Sequence, residues 1–141
     1  MRVFRTVVYT VLILAILVTM LVKQRQRIAL LHGGKSPAAK ALVEATEAHI
    51  PAWLFVHSPV CHTCQQMEKV YQKLEPFFAG KVEFVKVDIN SPADQDLVRR
   101  FNVRLVPTSV FIASDGKVMA KKIGAIPLSE TKTILIGLRK R

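Results

Sequence analysis

Thr6 to Val22, TVVYTVLILAILVTMLV, is a run of 17 residues without a charge, and it limits the possible folds more than any other feature of the chain. A helix needs about 20 apolar residues to span a bilayer core, within a range of ~17–25. Arg5 and Lys23 bound the run, and such side chains can extend along apolar surface to reach headgroups. In lipid every backbone polar group must be paired within the segment, so a helix is expected despite the β-branched content. A buried soluble helix fits poorly, because every face here is apolar. A cleaved secretory signal is the other competitor, with an apolar core of about 7–15 residues and a small-residue cleavage site close behind. Here the run is longer, and Lys-Gln-Arg-Gln-Arg follows it. The sequence predicts a single-pass anchor at 1–27, its helix at about 6–22, with the lipid bilayer as partner.

Charge divides the chain in the same place. Residues 1–35 hold six Lys/Arg and no acid, and residues 36–141 hold 15 against 10, within a net charge of +11. Gly33-Gly34 and Ser36-Pro37 punctuate a linker at 28–37. The flanking cations favour the basic segment after the run over Arg2, Arg5 and the α-amine by about two charges. Taken literally, that count leaves the C-terminal part in the cytosol. The same basic stretch could also lie against anionic headgroups.

Residues 38–141 are long enough for one modest core. Ala38, Ala41, Leu42, Ala45 and Ala48 make a helical stripe, with Ser36 as N-cap, Pro37 at the first position and Pro51 as the stop, so a helix is expected over Ala38–His49. Ala52–His57 reads as a strand covered on both faces. After the Ser58-Pro59 turn a helix is expected from Cys61 to Phe77 or Phe78, stopped by Gly80. A strand follows at Val82–Val87, a polar loop at Asp88–Pro92, and a short helix at Ala93–Phe101. Two strands, Ser109–Ile112 and Lys117–Ile123, flank the Ser114-Asp115-Gly116 turn. Gly124 breaks the second, and Ser129 caps a final helix to about Leu138. Met67, Phe77, Phe78, Phe84 and Phe111 are expected in the core. The order is α-β-α-β-α-β-β-α, an α/β fold whose mixed sheet carries helices on both faces.

The two cysteines of the chain, Cys61 and Cys64, lie three apart where a strand and turn feed a helix. That excludes a multi-disulfide scaffold and a four-cysteine zinc site. It favours redox work. A thiolate at a helix N-terminus meets unpaired N–H groups and the positive end of the dipole, which lowers its pKa. Cys61 is the expected nucleophile, and Cys64, one turn deeper, the resolving thiol. His62 is placed to tune the thiolate.

Residues 52–138 resemble the thioredoxin family through AWLFVHSPVCHTC, VEFVKVDIN, FNVRLVPTSVFIASDGKV and KKIGA, with Val106-Pro107-Thr108 beginning 42 residues after Cys64. The resemblance implies a thioredoxin-like fold with a central mixed four-stranded sheet, and a thiol–disulfide oxidoreductase whose only redox centre is its own Cys61–Cys64 disulfide, with no further cofactor. It implies a cis bond before Pro107 and a Val106 backbone free to pair with an extended substrate. Protein dithiols and disulfides, and a redox donor, would be the partners. N-terminally anchored proteins resembling this one usually act on exported proteins or in cytochrome maturation, which implies a domain outside the cytoplasm. A chain whose only cysteines are the active pair also suits an oxidising compartment.

Some positions depart from the family. Its buried acid six residues before the first cysteine is Phe55 here, which leaves Lys86 without that partner. Its Trp before the first cysteine is Val60, and its Gly-Pro insert is His62-Thr63. Phe55 keeps open a non-catalytic adaptor that uses the fold as a binding surface. A copper or zinc module built from His57, Cys61, His62 and Cys64 is the other alternative, although adjacent Cys61 and His62 rarely converge on one ion. Gln65 stands where a haem attachment motif needs His. No phosphate loop or aromatic-basic platform points to nucleic acid.

Overall fold

The computed structural model describes residues 13–20 and 36–139. The chain separates into two units, Met1–Gly33 and Gly34–Arg141. Of the first, residues 13–20 form an exposed helical stretch in the middle of the uncharged run. Among the described residues no helix is long and apolar enough to cross a membrane. The rest of the expected anchor and the linker to residue 35 lie outside the described residues.

In the second unit, α1 spans Pro37–Glu47. The Ala39 N–H donates to Ser36 Oγ at 3.0 Å, which fixes the start. The helix ends two residues before the expected His49. His49 turns left-handed at φ 54°, and the Ile50 N–H closes onto the Ala45 carbonyl. Pro51 is therefore not the stop; its carbonyl instead accepts from the Glu83 N–H at 2.8 Å and begins the sheet.

Strand β1 is Ala52–His57, and all but His57 is buried. It pairs in parallel with β2, Glu83–Asp88, and antiparallel with β3, Thr108–Ile112. Strand β4, Val118–Ile123, pairs antiparallel with β3, giving the order β2-β1-β3-β4. The mixed sheet and its α-β alternation match the sequence expectation. Strand β2 begins one residue late, because the Val82 N–H is held by the Phe78 carbonyl at 3.0 Å. Side chains alternate across β1. Leu54 and Val56 face a core built with Ala38, Ala39 and Leu42 of α1. Trp53 and Phe55 face a core built with Met67, Tyr71 and Leu74 of α2, His62–Phe78.

Phe77 does not belong to that core; it is 71% exposed. The buried stripe of α2 steps through Cys64, Met67, Tyr71, Leu74 and Phe78, and Phe77 lies one residue, about 100°, off it. Phe84 is half-buried and packs edge-on to Trp53 and Tyr71. The helix expected at Ala93–Phe101 is a 3-10 turn, Pro92–Asp94, followed by α3, Gln95–Arg100. Asp94 tightens the turn: its N–H reaches the Ser91 carbonyl, and its carboxylate accepts the Asp88 N–H at 3.1 Å. The last helix, α4, is Leu128–Arg139. Ser129 sits inside it rather than capping it, because the Thr131 N–H already bonds the Pro127 carbonyl. Between β3 and β4, Gly116 takes φ 79° in the predicted turn, a conformation that glycine adopts without a side-chain clash.

Candidate active site

The end of β1 delivers the chain through Ser58, Pro59 and Val60 to the head of α2. Cys61 is the N-cap of that helix, in extended backbone, and its Sγ accepts the Cys64 N–H at 3.2 Å. The sulfur thus sits on one of the N–H groups that a helix start leaves unpaired, where negative charge is stabilised. Cys61 and Cys64 form a disulfide with Cα atoms 5.2 Å apart. Cys61 is half-buried and Cys64 is buried, so one sulfur is within reach of a partner and the other is shielded.

Opposite the disulfide runs the segment between α3 and β3. The Val106–Pro107 peptide bond is cis, and the Val106 carbonyl oxygen lies 4.0 Å from Cys61 Sγ. The Pro107 carbonyl accepts the Gly124 N–H at 2.8 Å, which joins this segment to the end of β4. Among the described residues the Val106 N–H has no backbone partner.

His62 occupies the first position of α2 and is exposed. His57 is half-buried and stacks on Phe55 with ring centroids 5.5 Å apart. Among the described residues no three His, Cys, Asp or Glu side chains gather so as to hold a metal ion. His57, Cys61, His62 and Cys64 are not brought together: one histidine packs on the sheet, the other faces solvent, and the cysteines bond each other.

Phe55 is fully buried among the rings of Trp53, Tyr71 and His57. Its neighbour in register, Lys86, pairs with Glu68 of α2, which also accepts from Gln72 Nε2 at 3.2 Å. Lys86 is therefore not left alone. Glu68 was missed in the sequence because 18 residues separate the partners, and no local spacing links them. The Lys86 ammonium lies 5.1 Å from the centre of the Tyr71 ring. Burial first, then Glu75, Glu68 and Glu83, push the Tyr71 phenol well above its ordinary range and keep it neutral.

The rim of the site also escaped the sequence reading. Three apolar residues are exposed next to the segments that form the site: Val60 (91%) precedes Cys61, Leu105 (61%) precedes Val106, and Ile123 (62%) pairs in register with Thr108. The adjacency of Val60 to Cys61 and of Leu105 to Val106-Pro107 is the signal in the sequence that points to it.

Residues 38–137 match the family described as thioredoxin-like domain. Thioredoxin from Haemophilus influenzae is 36% identical over 81 residues, 57% of this chain and 73% of that protein. Thioredoxin C-2 from Corynebacterium nephridii is 31% identical over 87 residues, 62% of this chain and 78% of its own length. The structure of thioredoxin O2 from Arabidopsis thaliana in the oxidized state matches with a TM-score of 0.61 and 23% identity, covering 71% of this chain and 84% of that one. At that identity the structural likeness speaks for the fold, and the sequence relatives carry the rest. The chain belongs to the thioredoxin-like family and is a thiol–disulfide oxidoreductase.

Proposed function

We propose that the Cys61–Cys64 pair exchanges disulfides with protein substrates while the chain is tethered to a membrane. The observation that carries the exchange is the asymmetry of the pair. Cys61 is reachable and rests on the Cys64 N–H, whereas Cys64 is buried behind it. In the reducing direction the Cys61 thiolate attacks one substrate sulfur and displaces the other as a thiolate. Cys64, as thiolate, then attacks Cys61 Sγ. That step forms the intramolecular disulfide and releases the second substrate sulfur, so two electrons pass to the substrate. The opposite direction runs the same steps backwards. A separate dithiol or disulfide partner resets the pair, and no further cofactor enters. Val106 and Pro107 hold the substrate segment beside Cys61, with the Val106 backbone as pairing edge. His62 favours the thiolate electrostatically.

The tether is the run Thr6–Val22, whose described part is helical and exposed. The domain faces the outside of the cytoplasm, a reading supported by the absence of any cysteine beyond the active pair. Replacing Cys61 with Ser in the full-length chain is expected to abolish turnover of a disulfide substrate, and Cys64→Ser to accumulate mixed disulfides on non-reducing gels. Undiminished turnover by Cys61→Ser refutes the exchange. Protease added to intact cells is expected to remove the domain. Protection until lysis reverses the orientation.

A further inference from the structure

The basic charge of the folded unit is concentrated on one part of it. Residues 36–98 carry five Lys/Arg against eight Asp/Glu, whereas residues 99–139 carry eight against two. The second stretch contributes the end of α3, the segment to Pro107, β3, β4 and α4. Three of its cations gather around Phe101 and Asn102. Lys121 Nζ donates to the Phe101 and Asn102 carbonyls at 3.0 and 2.8 Å. Arg104 Nε donates to Asn102 Oδ1 at 3.3 Å, and the Arg100 guanidinium lies 5.2 Å from the Phe101 ring centre. All three residues are exposed, although partial burial lowers the Arg100 guanidinium pKa, and among the described residues none of them has an ion-pair partner. The acids of this stretch are engaged elsewhere, Asp115 with Lys117 and Glu130 with Lys122. Asp88, the acid at the end of β2, is turned onto the Asn90 N–H.

We propose that this cluster selects protein substrates with acidic residues beside the exchanged cysteine, a specificity that rests on the oxidoreductase reading above. Arg104 is two residues from Val106, whose carbonyl lies 4.0 Å from Cys61 Sγ. A segment laid along Val106 to present a sulfur to Cys61 therefore passes the Arg104 guanidinium within a few residues. Leu105, exposed between Arg104 and Val106, offers that segment an apolar contact. Arg104 is joined to the Cys61 contact through two residues of chain, which a peptide segment can follow, so a peptide fits the position better than a lipid surface. Cations without ion-pair partners steer an oppositely charged segment and add little affinity each, so the selection is expected in the second-order rate constant of exchange and to weaken with salt.

The test uses the reduced full-length chain in non-ionic detergent with three substrates: a neutral small disulfide, and two disulfide peptides that differ only in Glu or Lys at the flanking positions. With the reduced chain as the stoichiometric two-electron donor, the Glu peptide is expected to lead by about tenfold in second-order rate constant at about 0.01 M salt, and at about 1 M salt, where the Debye length is ~3 Å, that lead is expected to vanish. Arg104→Glu is expected to reverse the order of the two peptides at low salt. No turnover of the neutral disulfide refutes the redox reading itself. Turnover of the neutral disulfide with equal rates on both peptides refutes only the selection. Equal peptide rates combined with an Arg104-dependent gain in binding to phosphatidylserine vesicles assign the cluster to lipid and overturn the proposal.

Discussion

Phe55→Asp restores a carboxyl at the position where the family buries one, and the structure sets its cost. Phe55 is fully buried, with its ring 5.5 Å from His57, 5.7 Å from Tyr71 and 6.3 Å from Trp53. Removing a packed phenyl ring costs about 3–5 kcal/mol, because the lost transfer free energy is joined by a cavity. The new carboxyl adds a desolvation penalty for its charged form, and Lys86, opposite position 55 on β2, is already paired with Glu68. The Asp pKa in the folded protein is thus raised above its unfolded value of about 3.9. Its contribution to stability is at its best below that unfolded value and is lost as pH rises through the folded one. The variant's deficit against the parent is therefore expected to be about 3–5 kcal/mol near pH 4 and to grow towards neutrality. Urea unfolding of both oxidised proteins from pH 4 to 8 measures it. A deficit under about 1 kcal/mol, or one independent of pH, would show that the pocket is wet or able to collapse, and the packing argument would be wrong. If enough protein folds, single-turnover kinetics with one disulfide substrate adds a functional readout. Resolution by Cys64 is expected to lag behind attack by Cys61 in the parent, to quicken as pH rises, and to speed up in the variant.

Ser36→Ala removes the hydroxyl that accepts the Ala39 N–H, and is expected to lower stability by about 1 kcal/mol in urea titration; no change would mean that the cap is dispensable. Burial first, then Glu44 and Glu75, raise the Glu83 pKa, so its stabilising contribution is complete below the unfolded pKa and fades as pH rises. Glu83→Gln is accordingly expected to be more stable than the parent at pH 7 and to lose that advantage near pH 3, as read from paired urea midpoints. Met67→Ala, at a fully buried position of α2, is expected to cost about 2–5 kcal/mol, whereas Phe77→Ser, one turn from Leu74 but off the stripe, is expected to stay within about 0.5 kcal/mol; similar losses at both would contradict the assigned helix face.

The order of elements and the placing of Cys61-His62-Thr63-Cys64 at a strand-to-helix turn could be read from the sequence, because both depend on local chemistry. Apolar periodicity separates strand from helix, Ser36-Pro37 starts α1, and Asp115-Gly116 makes a turn whichever neighbours surround it. Element ends were less legible. Val82 carries strand residue chemistry but gives its N–H to the end of α2, and His49 leaves the helix before Pro51 can stop it. Phe77 and Phe78 are the same residue side by side at three and four residues from Leu74, spacings that both suit a helical stripe, and packing of α2 buries Phe78 and leaves Phe77 exposed. The site shows the same division. The sequence by itself determined that two sulfurs lie one helical turn apart at a helix start. Only the tertiary structure set Val106 against Cys61 across 45 residues, gave Lys86 its partner in Glu68, and gathered Arg100, Arg104 and Lys121 around residues 101 and 102. Such contacts depend on strand pairing and helix packing between segments far apart in the chain, which no local spacing of residues encodes.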